Sequence, residues 1–197
     1  MFTMKYMIPV LLAFCLFTSA QEIETEQEWK ILANPADLSV EGAAKTFLKD
    51  VEAPPSVDAK EKAELARLKD LVSGERLELV PKDLLPLTKV RSIQIGRYGV
   101  FTYPYFKCRF KQTDRGLFFE KTTGSQRKSG LIFQNGESAL VFLGTSTVND
   151  DPQRPYSGLN RSKDASHDSV GLIINCGKTY LGLFPRKNGA FEIYEFK

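Results

Sequence analysis

Residues 106–121, FKCRFKQTDRGLFFEK, decide the fold class of this chain. Phe106, Cys108 and Phe110 alternate with charged residues, which is the pattern of a β-strand with one buried face. Asp114-Arg115-Gly116 then marks a tight turn, and the second half of the stretch is again rich in aromatic residues. The stretch therefore predicts two antiparallel strands joined by a short turn.

The alternation of apolar and polar residues, which repeats every two residues, extends over the whole C-terminal part of the chain. Most connections between the apolar stretches are short and contain glycine or asparagine, so neighbouring strands are predicted to be antiparallel. A meander of this length removes its exposed edges by closing into a barrel. The eight candidate strands are VRSIQIG (90–96), YPYFKCRFK (103–111), GLFFEKTT (116–123), SGLIFQ (129–134), SALVFLGTSTV (138–148), SVGLIINC (169–176), TYLGLF (179–184) and AFEIYEFK (190–197).

The segment before these strands has apolar residues at helical spacing. Asp58 is predicted to cap one helix, where Glu61 completes a capping box, and this helix is predicted to end before Gly74. An earlier helix, capped by Ser39, is predicted from an apolar stripe that consists of Val40, Ala43, Ala44, Phe47, Leu48 and Val51. The two helices are predicted to form a helical hairpin.

Three strands have apolar residues on both faces, namely LVFLG, VGLIINC and TYLGLF. Both faces of that part of the sheet must be covered, and the helical stripes are the available cover. The segments also differ in charge, with 15 acids and 10 bases (net −5) in residues 21–89 against 9 acids and 16 bases (net +7) in residues 90–197. The predicted fold is α+β, with an N-terminal helical hairpin packed on an eight-stranded antiparallel up-and-down barrel, lipocalin-like or a strongly curved sheet.

The first twenty residues have the composition of a secretory signal peptide. Lys5 precedes an apolar stretch, and Thr18-Ser19-Ala20 is suited to signal peptidase. We expect cleavage near Ala20 and a secreted or periplasmic protein with no transmembrane segment after cleavage. The predicted organisation is a signal peptide (1–20), a helical segment (21–85) and an antiparallel β-barrel domain (86–197).

Cleavage would leave two cysteines, Cys108 and Cys176. Each lies in a strand-like apolar stretch, and a disulfide persists in an oxidising compartment. Buried free thiols are also common in such strands. The sequence leaves both alternatives open.

Two elements offer candidate ligand contacts. The turn at residues 121–127, KTTGSQR, can present backbone amides and a guanidinium to an anion, although its side chains can equally satisfy their own backbone. The connection at residues 149–166 has no periodicity, and loops of this length are often functional. The candidate ligand-binding residues are Thr123, Ser125, Gln126, Arg127, Arg154, Tyr156 and His167.

Catalytic and metal-binding motifs do not emerge from the sequence. The chain has one histidine, and no serine lies in a G-x-S-x-G elbow. Calcium-loop, zinc, Walker and dinucleotide fingerprints are missing as well, so no catalytic residue, metal or cofactor is predicted. A net charge of +3 is too small to indicate a nucleic-acid partner.

Several short elements in the second half resemble a known family. They are FKCRF (106–110), FEKTTGSQR (119–127), LVFLGT (140–145), Tyr156-Ser-Gly158, Asp168 with Gly171, the dipeptide FP (184–185) and FEIYEF (191–196). In this order they resemble the family called domain of unknown function 4893, over roughly residues 86–197. The resemblance implies a secreted or periplasmic protein of Gram-negative bacteria and adds no mechanism. It also implies a family cysteine near Val90, which this chain lacks.

Two functions from different classes follow. The favoured one is a non-enzymatic envelope module that binds a small apolar or anionic ligand, or an envelope protein. The alternative is an enzyme that acts on an envelope component at a rim cleft formed by the 121–127 turn and the 149–166 loop. A hollow barrel would favour ligand binding, whereas a filled barrel with a cleft joining Arg127, Tyr156 and His167 would favour catalysis or protein binding.

Overall fold

The computed structural model describes residues 28–160 and 164–197. The predicted signal peptide lies outside the described residues. Nine strands form one antiparallel sheet. They are β1 Lys89–Gly96, β2 Gly99–Thr102, β3 Phe106–Thr113, β4 Gly116–Lys121, β5 Gln126–Gln134, β6 Ala139–Val148, β7 Asp168–Asn175, β8 Tyr180–Pro185 and β9 Phe191–Phe196.

The sheet closes on itself through β1. One edge of β1 pairs with β9, from Val90 opposite Phe196 to Ile95 opposite Phe191. Its other edge pairs with β3 through Lys89 and Val90 and then with β2. Eight strands therefore form the predicted antiparallel barrel, and β2 is a ninth strand beside it. Sequence analysis missed β2 because its four residues are too few to show an alternation, and it began β3 three residues early, at Tyr103.

One cluster of buried side chains has members from all eight barrel strands, so it fills the barrel interior. We call it the inner cluster. Phe119 lies at its centre, with ring centroids 4.9 Å from Phe110, 5.5 Å from Phe196 and 5.9 Å from Phe142. Leu79 and Leu84, from the segment before β1, close one end of it. The remaining members are Val90, Cys108, Leu117, Ile132, Leu140, Ile173, Phe184 and Tyr194.

A second cluster, the outer cluster, lies between the helices and the outside of the barrel. It contains residues of α1 (Ala43–Asp50) and α2 (Ala59–Ser73), and the Phe47 ring packs 5.4 Å from that of Phe191. Strand β6 contributes to both clusters, because Leu140 and Phe142 point inward while Val141 and Leu143 point outward. The prediction that this strand is buried on both faces is confirmed.

The helix boundaries test the capping predictions. Asp58 caps α2 as predicted, since its Oδ1 accepts from the Glu61 N–H at 2.8 Å. The predicted Ser39 cap is wrong: α1 begins at Ala43, after a 3-10 segment that starts at Pro35. The Ser39 hydroxyl instead donates to the Ala36 carbonyl (3.0 Å) inside that segment, so it is not free to cap a helix. A short helix, α3 (Ser157–Asn160), and two 3-10 turns, Pro81–Leu84 and Lys187–Gly189, complete the fold.

Candidate functional site

The barrel has a second end, opposite Leu79 and Leu84, which we call the open end. The 122–125 turn, the 149–167 loop and the 186–190 turn surround it. Toward this end the inward-facing positions change from aromatic to charged. Lys121, Lys128 and Glu192 occupy inward positions on β4, β5 and β9, and each is less than 9% exposed.

Lys128 and Glu192 form an ion pair inside the barrel. The Lys128 Nζ lies 3.0 Å from the Glu192 Oε2 and donates to the Ser146 hydroxyl at 2.8 Å. The other carboxylate oxygen of Glu192 accepts from the Ser92 hydroxyl at 2.7 Å. Arg186, from the turn between β8 and β9, reaches the same carboxylate with its guanidinium. Glu192 therefore has two cationic partners.

Lys121 adds a third cation close to this carboxylate. Its Nζ donates to the Gln126 carbonyl at 2.6 Å and lies 4.3 Å from the centre of the Phe106 ring. In the described part of the chain it forms no ion pair with a carboxylate. Glu192 thus pairs directly with Lys128 and Arg186, and Lys121 lies near enough to feel its charge. Among the described groups in this part of the barrel interior, three cations lie around one carboxylate.

The pKa values of Glu192, Lys128 and Lys121 respond to burial and to the charges of their neighbours. Burial would raise the pKa of Glu192, but the charges of Lys128 and Arg186 outweigh it and lower this pKa from 4.5 to about 2. Burial lowers the pKa of Lys128, with a further decrease from Arg186, and Glu192 only partly opposes this shift. Burial likewise lowers the pKa of Lys121, and the charge of Lys128 adds to the effect. An added negative charge would favour the protonated form of both lysines.

A groove of about 1120 Å³ opens beside these charges. Lys128, Ser146, Phe184 and Arg186 line its barrel side, and Lys187 lies at its rim. The 3-10 segment at Pro35–Gly42 and the residues before β7 form the opposite wall. That wall includes Asn34, Asp37, Val40, Ser157, His167 and Asp168.

Hydrogen bonds hold this opposite wall in place. The buried Tyr156 hydroxyl donates to the Asp37 carboxylate at 2.6 Å and accepts from the Asn34 N–H at 2.8 Å. The Asp168 carboxylate accepts from the Ser157 hydroxyl (2.5 Å) and from the Asn34 side-chain amide (3.1 Å). Burial, together with the bond to Asp37, raises the pKa of Tyr156. The segment before α1 is therefore fixed to the loop before β7.

The polar groups of the predicted 121–127 turn are bonded within the turn or to residues beside it. The Arg127 Nε donates to the Gly124 carbonyl at 2.9 Å, and the Thr123 hydroxyl accepts from the Lys107 N–H at 2.9 Å. The Gln126 side chain pairs with Gln94 (2.7 Å), and the Ser125 carbonyl accepts from the backbone N–H of Asn149 at 2.7 Å.

The remaining predicted residues are divided between two hollows. His167 is the predicted candidate that lines the large groove. Arg154 and Tyr156 line a smaller hollow of about 360 Å³ on the outside of β4 and β5. Arg127, Tyr156 and His167 do not meet in one cleft.

Sequence reasoning missed Lys128, Arg186 and Glu192. The available signal was the alternation of faces, because residues an even number of positions apart in a strand lie on the same face. Lys128 is four residues from the inward-facing Ile132, and Glu192 is two residues from the inward-facing Tyr194. A charged residue at an inward position of an otherwise apolar strand indicates a buried charge.

A family comparison covers most of the chain, including the groove and both of its walls. The sequence profile of a family described as Domain of unknown function (DUF4893) matches residues 29–196. The chain belongs to this family. The match begins at Trp29, whose buried indole N–H donates to the Asn135 Oδ1 at 3.2 Å. The match therefore covers more of the chain than the resemblance over residues 86–197, and it includes the segment that forms the groove wall. No curated protein and no solved structure matches the chain.

Cys108 and Cys176 are free thiols, so the disulfide alternative is not the one found in the structure. Cys108 points into the inner cluster, whereas Cys176 packs against the outer cluster on the other side of the barrel wall. Burial raises the pKa of both thiols, to about 12 for Cys108 and about 11 for Cys176. Val90, where the resemblance implies a family cysteine, belongs to the same inner cluster as Cys108.

Two further features of the described residues concern metal sites and membrane-spanning helices. Among the residues that the structure describes, no group of three or more histidine, cysteine or carboxylate side chains is arranged to hold a metal ion. None of the helices in the described ranges has the length and apolar character needed to cross a membrane.

Proposed function

We propose that this protein is a non-enzymatic binding module that takes a small anionic ligand in the groove at the open end of the barrel. One observation carries the proposal: Lys128 and Arg186 both pair with the Glu192 carboxylate, while the nearby buried Lys121 has no carboxylate partner among the described residues. Buried charge without a partner is costly, because low-dielectric surroundings do not solvate it. A bound anion would supply the missing counter-charge.

The cations have donor capacity left for such a ligand. Lys128 has three ammonium hydrogens, and Glu192 and Ser146 are its described acceptors. The guanidinium of Arg186 contacts Glu192 with one nitrogen, and its side chain is 43% exposed toward the groove. A fork of guanidinium hydrogens matches the oxygens of carboxylates and phosphates. An anion can therefore bind without displacing Glu192.

Binding is favoured over catalysis because the polar groups lack a catalytic arrangement. The Ser157 hydroxyl donates to the Asp168 carboxylate, and in the described residues no hydrogen bond joins a serine to the His167 ring. The alternative enzyme at a cleft between the 121–127 turn and the 149–166 loop needs Arg127 to face a substrate. In the structure its Nε closes the turn through the Gly124 carbonyl.

The compartment is part of the same proposal. A signal peptide cleaved near Ala20 would make this a secreted or periplasmic envelope protein, with a helical hairpin that covers a lipocalin-like barrel. N-terminal sequencing of the protein from its own cells should find Gln21 first. A chain that keeps its first twenty residues would contradict this part of the proposal.

Thermal unfolding tests the anion site. Residues 21–197 would be melted in increasing sulfate or phosphate, with chloride holding the ionic strength constant. We expect the melting temperature to rise and saturate, since a ligand that binds only the folded state stabilises it. Arg186→Gln should remove the rise, whereas Arg115→Gln, in the exposed turn between β3 and β4, should keep it. An equal rise in the Arg186 variant, or no rise in the parent protein, would reject the proposal.

A further inference from the structure

We infer that the ligand of this groove is an amphipathic organic acid, with its acidic head at Lys128 and Arg186 and an apolar body along the groove. The inference rests on the proposed function and adds the class of ligand. Its first support is size. A groove of about 1120 Å³ is far larger than an inorganic anion needs and slightly exceeds the usual range for organic-ligand pockets, about 300 to 1,000 Å³.

The second support is apolar lining next to the cations. Phe184 and Pro185 immediately precede Arg186, and the Phe184 ring centre lies 5.0 Å from the Lys128 Nζ. Phe184 is buried, but Pro185 is exposed, and Val148 also lines the groove and is 53% exposed. An inorganic ion would leave the surface of Pro185 and Val148 in water, whereas an alkyl chain or ring would cover it.

The third support is the state of the carboxylates in the groove wall. Asp37 accepts from the Tyr156 hydroxyl, and Asp168 accepts from Ser157 and Asn34. Asp151, at the rim, accepts from the Val148 N–H at 3.4 Å. The acceptors of Asp37 and Asp168 therefore serve the wall, while Lys128 and Arg186 keep unused donors. The acidic head group is thus favoured at the end of the groove that holds Lys128 and Arg186.

A chain-length series tests this inference. Binding of acetate, hexanoate, octanoate and decanoate to residues 21–197 would be measured by calorimetry below their micelle concentrations, with octanol as the neutral control. Burial of each added methylene should tighten binding about three- to fourfold until the groove is filled. Octanol should bind at least about tenfold more weakly than octanoate, because its neutral hydroxyl has no negative charge and no second oxygen to pair with a guanidinium or ammonium group.

Two variants test which residues of the groove contact the acidic head of the ligand and which contact its apolar body. Arg186→Gln should weaken octanoate binding about tenfold or more and leave octanol binding unchanged. Val148→Ser should reduce the gain per methylene and leave acetate binding unchanged. Leu77→Ser, an exposed leucine near the closed end of the barrel, is the matched control and should behave like the parent protein.

The outcomes separate this inference from the proposed function. Equal affinity for acetate and octanoate would overturn the amphipathic ligand, while saturable stabilisation by phosphate would leave the anion site standing. Octanol binding as tight as octanoate binding would overturn this inference, since the charge of the head group would then be irrelevant, and the phosphate experiment would still decide the proposed function. Failure of every acid to bind overturns this inference, and the phosphate experiment alone then decides the proposed function.

Discussion

The Lys128 ammonium lies 3.0 Å from the Glu192 carboxylate, although their strands, β5 and β9, are not neighbours in the sheet. The contact crosses the barrel interior, and it exists only because the sheet closes. It also places a charged pair next to aromatic rings, with the Lys128 Nζ 5.0 Å from the centre of Phe184 and 5.8 Å from that of Tyr194. The barrel is therefore filled by apolar groups at one end and by charges at the other.

Replacement of the two partners should have unequal effects. Glu192→Gln leaves three cations without a carboxylate and should lower the free energy of unfolding by about 3 to 5 kcal/mol. Lys128→Met removes a buried charge and leaves Glu192 paired with Arg186, so we expect a loss below about 2 kcal/mol. Urea denaturation measures both, with the exposed Glu75→Gln as control. A larger loss of unfolding free energy in Lys128→Met than in Glu192→Gln would contradict the view that cations outnumber carboxylates in this part of the barrel interior.

Glu192 should also make stability depend on acidity. Its pKa is about 2 in the folded protein against 4.5 for an ordinary glutamate. The folded state therefore binds fewer protons, so this contribution is complete above pH 4.5 and is lost as the pH falls toward 2. The loss should amount to about 3 kcal/mol and should be absent from Glu192→Gln. Urea denaturation across this pH range measures the free energy of unfolding. An equal decrease in the parent protein and in Glu192→Gln would contradict the lowered pKa of Glu192.

Arg127→Lys tests the role of the 121–127 turn. The substitution keeps the charge but loses the Nε donor to the Gly124 carbonyl, so we expect a loss of about 1 kcal/mol and a lower melting temperature. Arg115→Lys, at an exposed turn, should melt like the parent protein. An unchanged melting temperature combined with lost sulfate stabilisation would instead assign Arg127 to ligand binding.

Gly144→Ala should be strongly destabilising. Gly144 faces Gly130 across β5 and β6, and an added Cβ would overlap the Phe142 ring and the Ser129 carbonyl oxygen. Because both atoms belong to the packed barrel wall, we expect a loss of about 3 kcal/mol or more in chemical denaturation. Gly42→Ala is the control, since a Cβ there has no neighbour within 4 Å and should change stability by less than about 0.5 kcal/mol. Equal stability of the two variants would mean that the strands can separate there.

Local patterns predicted most of the elements because their causes are local. The alternation in β3 is visible in residues 106–111, and the structure buries Cys108 and Phe110 while Lys107, Arg109 and Lys111 stay exposed. The capping box of Asp58 and Glu61 fixes the start of α2 within three residues of chain. The Ser39 cap failed because the same hydroxyl had a competing carbonyl one turn earlier, at Ala36.

The candidate site was predicted less well than the fold. The 121–127 turn and the 149–166 loop lie at the same end of the barrel, yet the polar groups of the turn bond to the turn and to residues beside it. His167 lines the groove, but Lys128 and Arg186 were not among the predicted residues. Turn residues attract notice because they interrupt a pattern, whereas Lys128 and Glu192 lie inside strands and look like ordinary alternating positions.

The sequence by itself determined the strand period, the turns and the start of α2, because each depends on residues close together in the chain. It also carries the membership in the family, through a match that spans residues 29–196. Only the tertiary structure decided which alternating face became the barrel interior, and hence which charges were buried. Lys128 and Lys111 are both lysines in strands, but one is 4% exposed beside Glu192 and the other has a side chain 48% exposed. The difference arises because barrel closure removes water from one face of every strand, and a charge on that face must find its partner across the barrel.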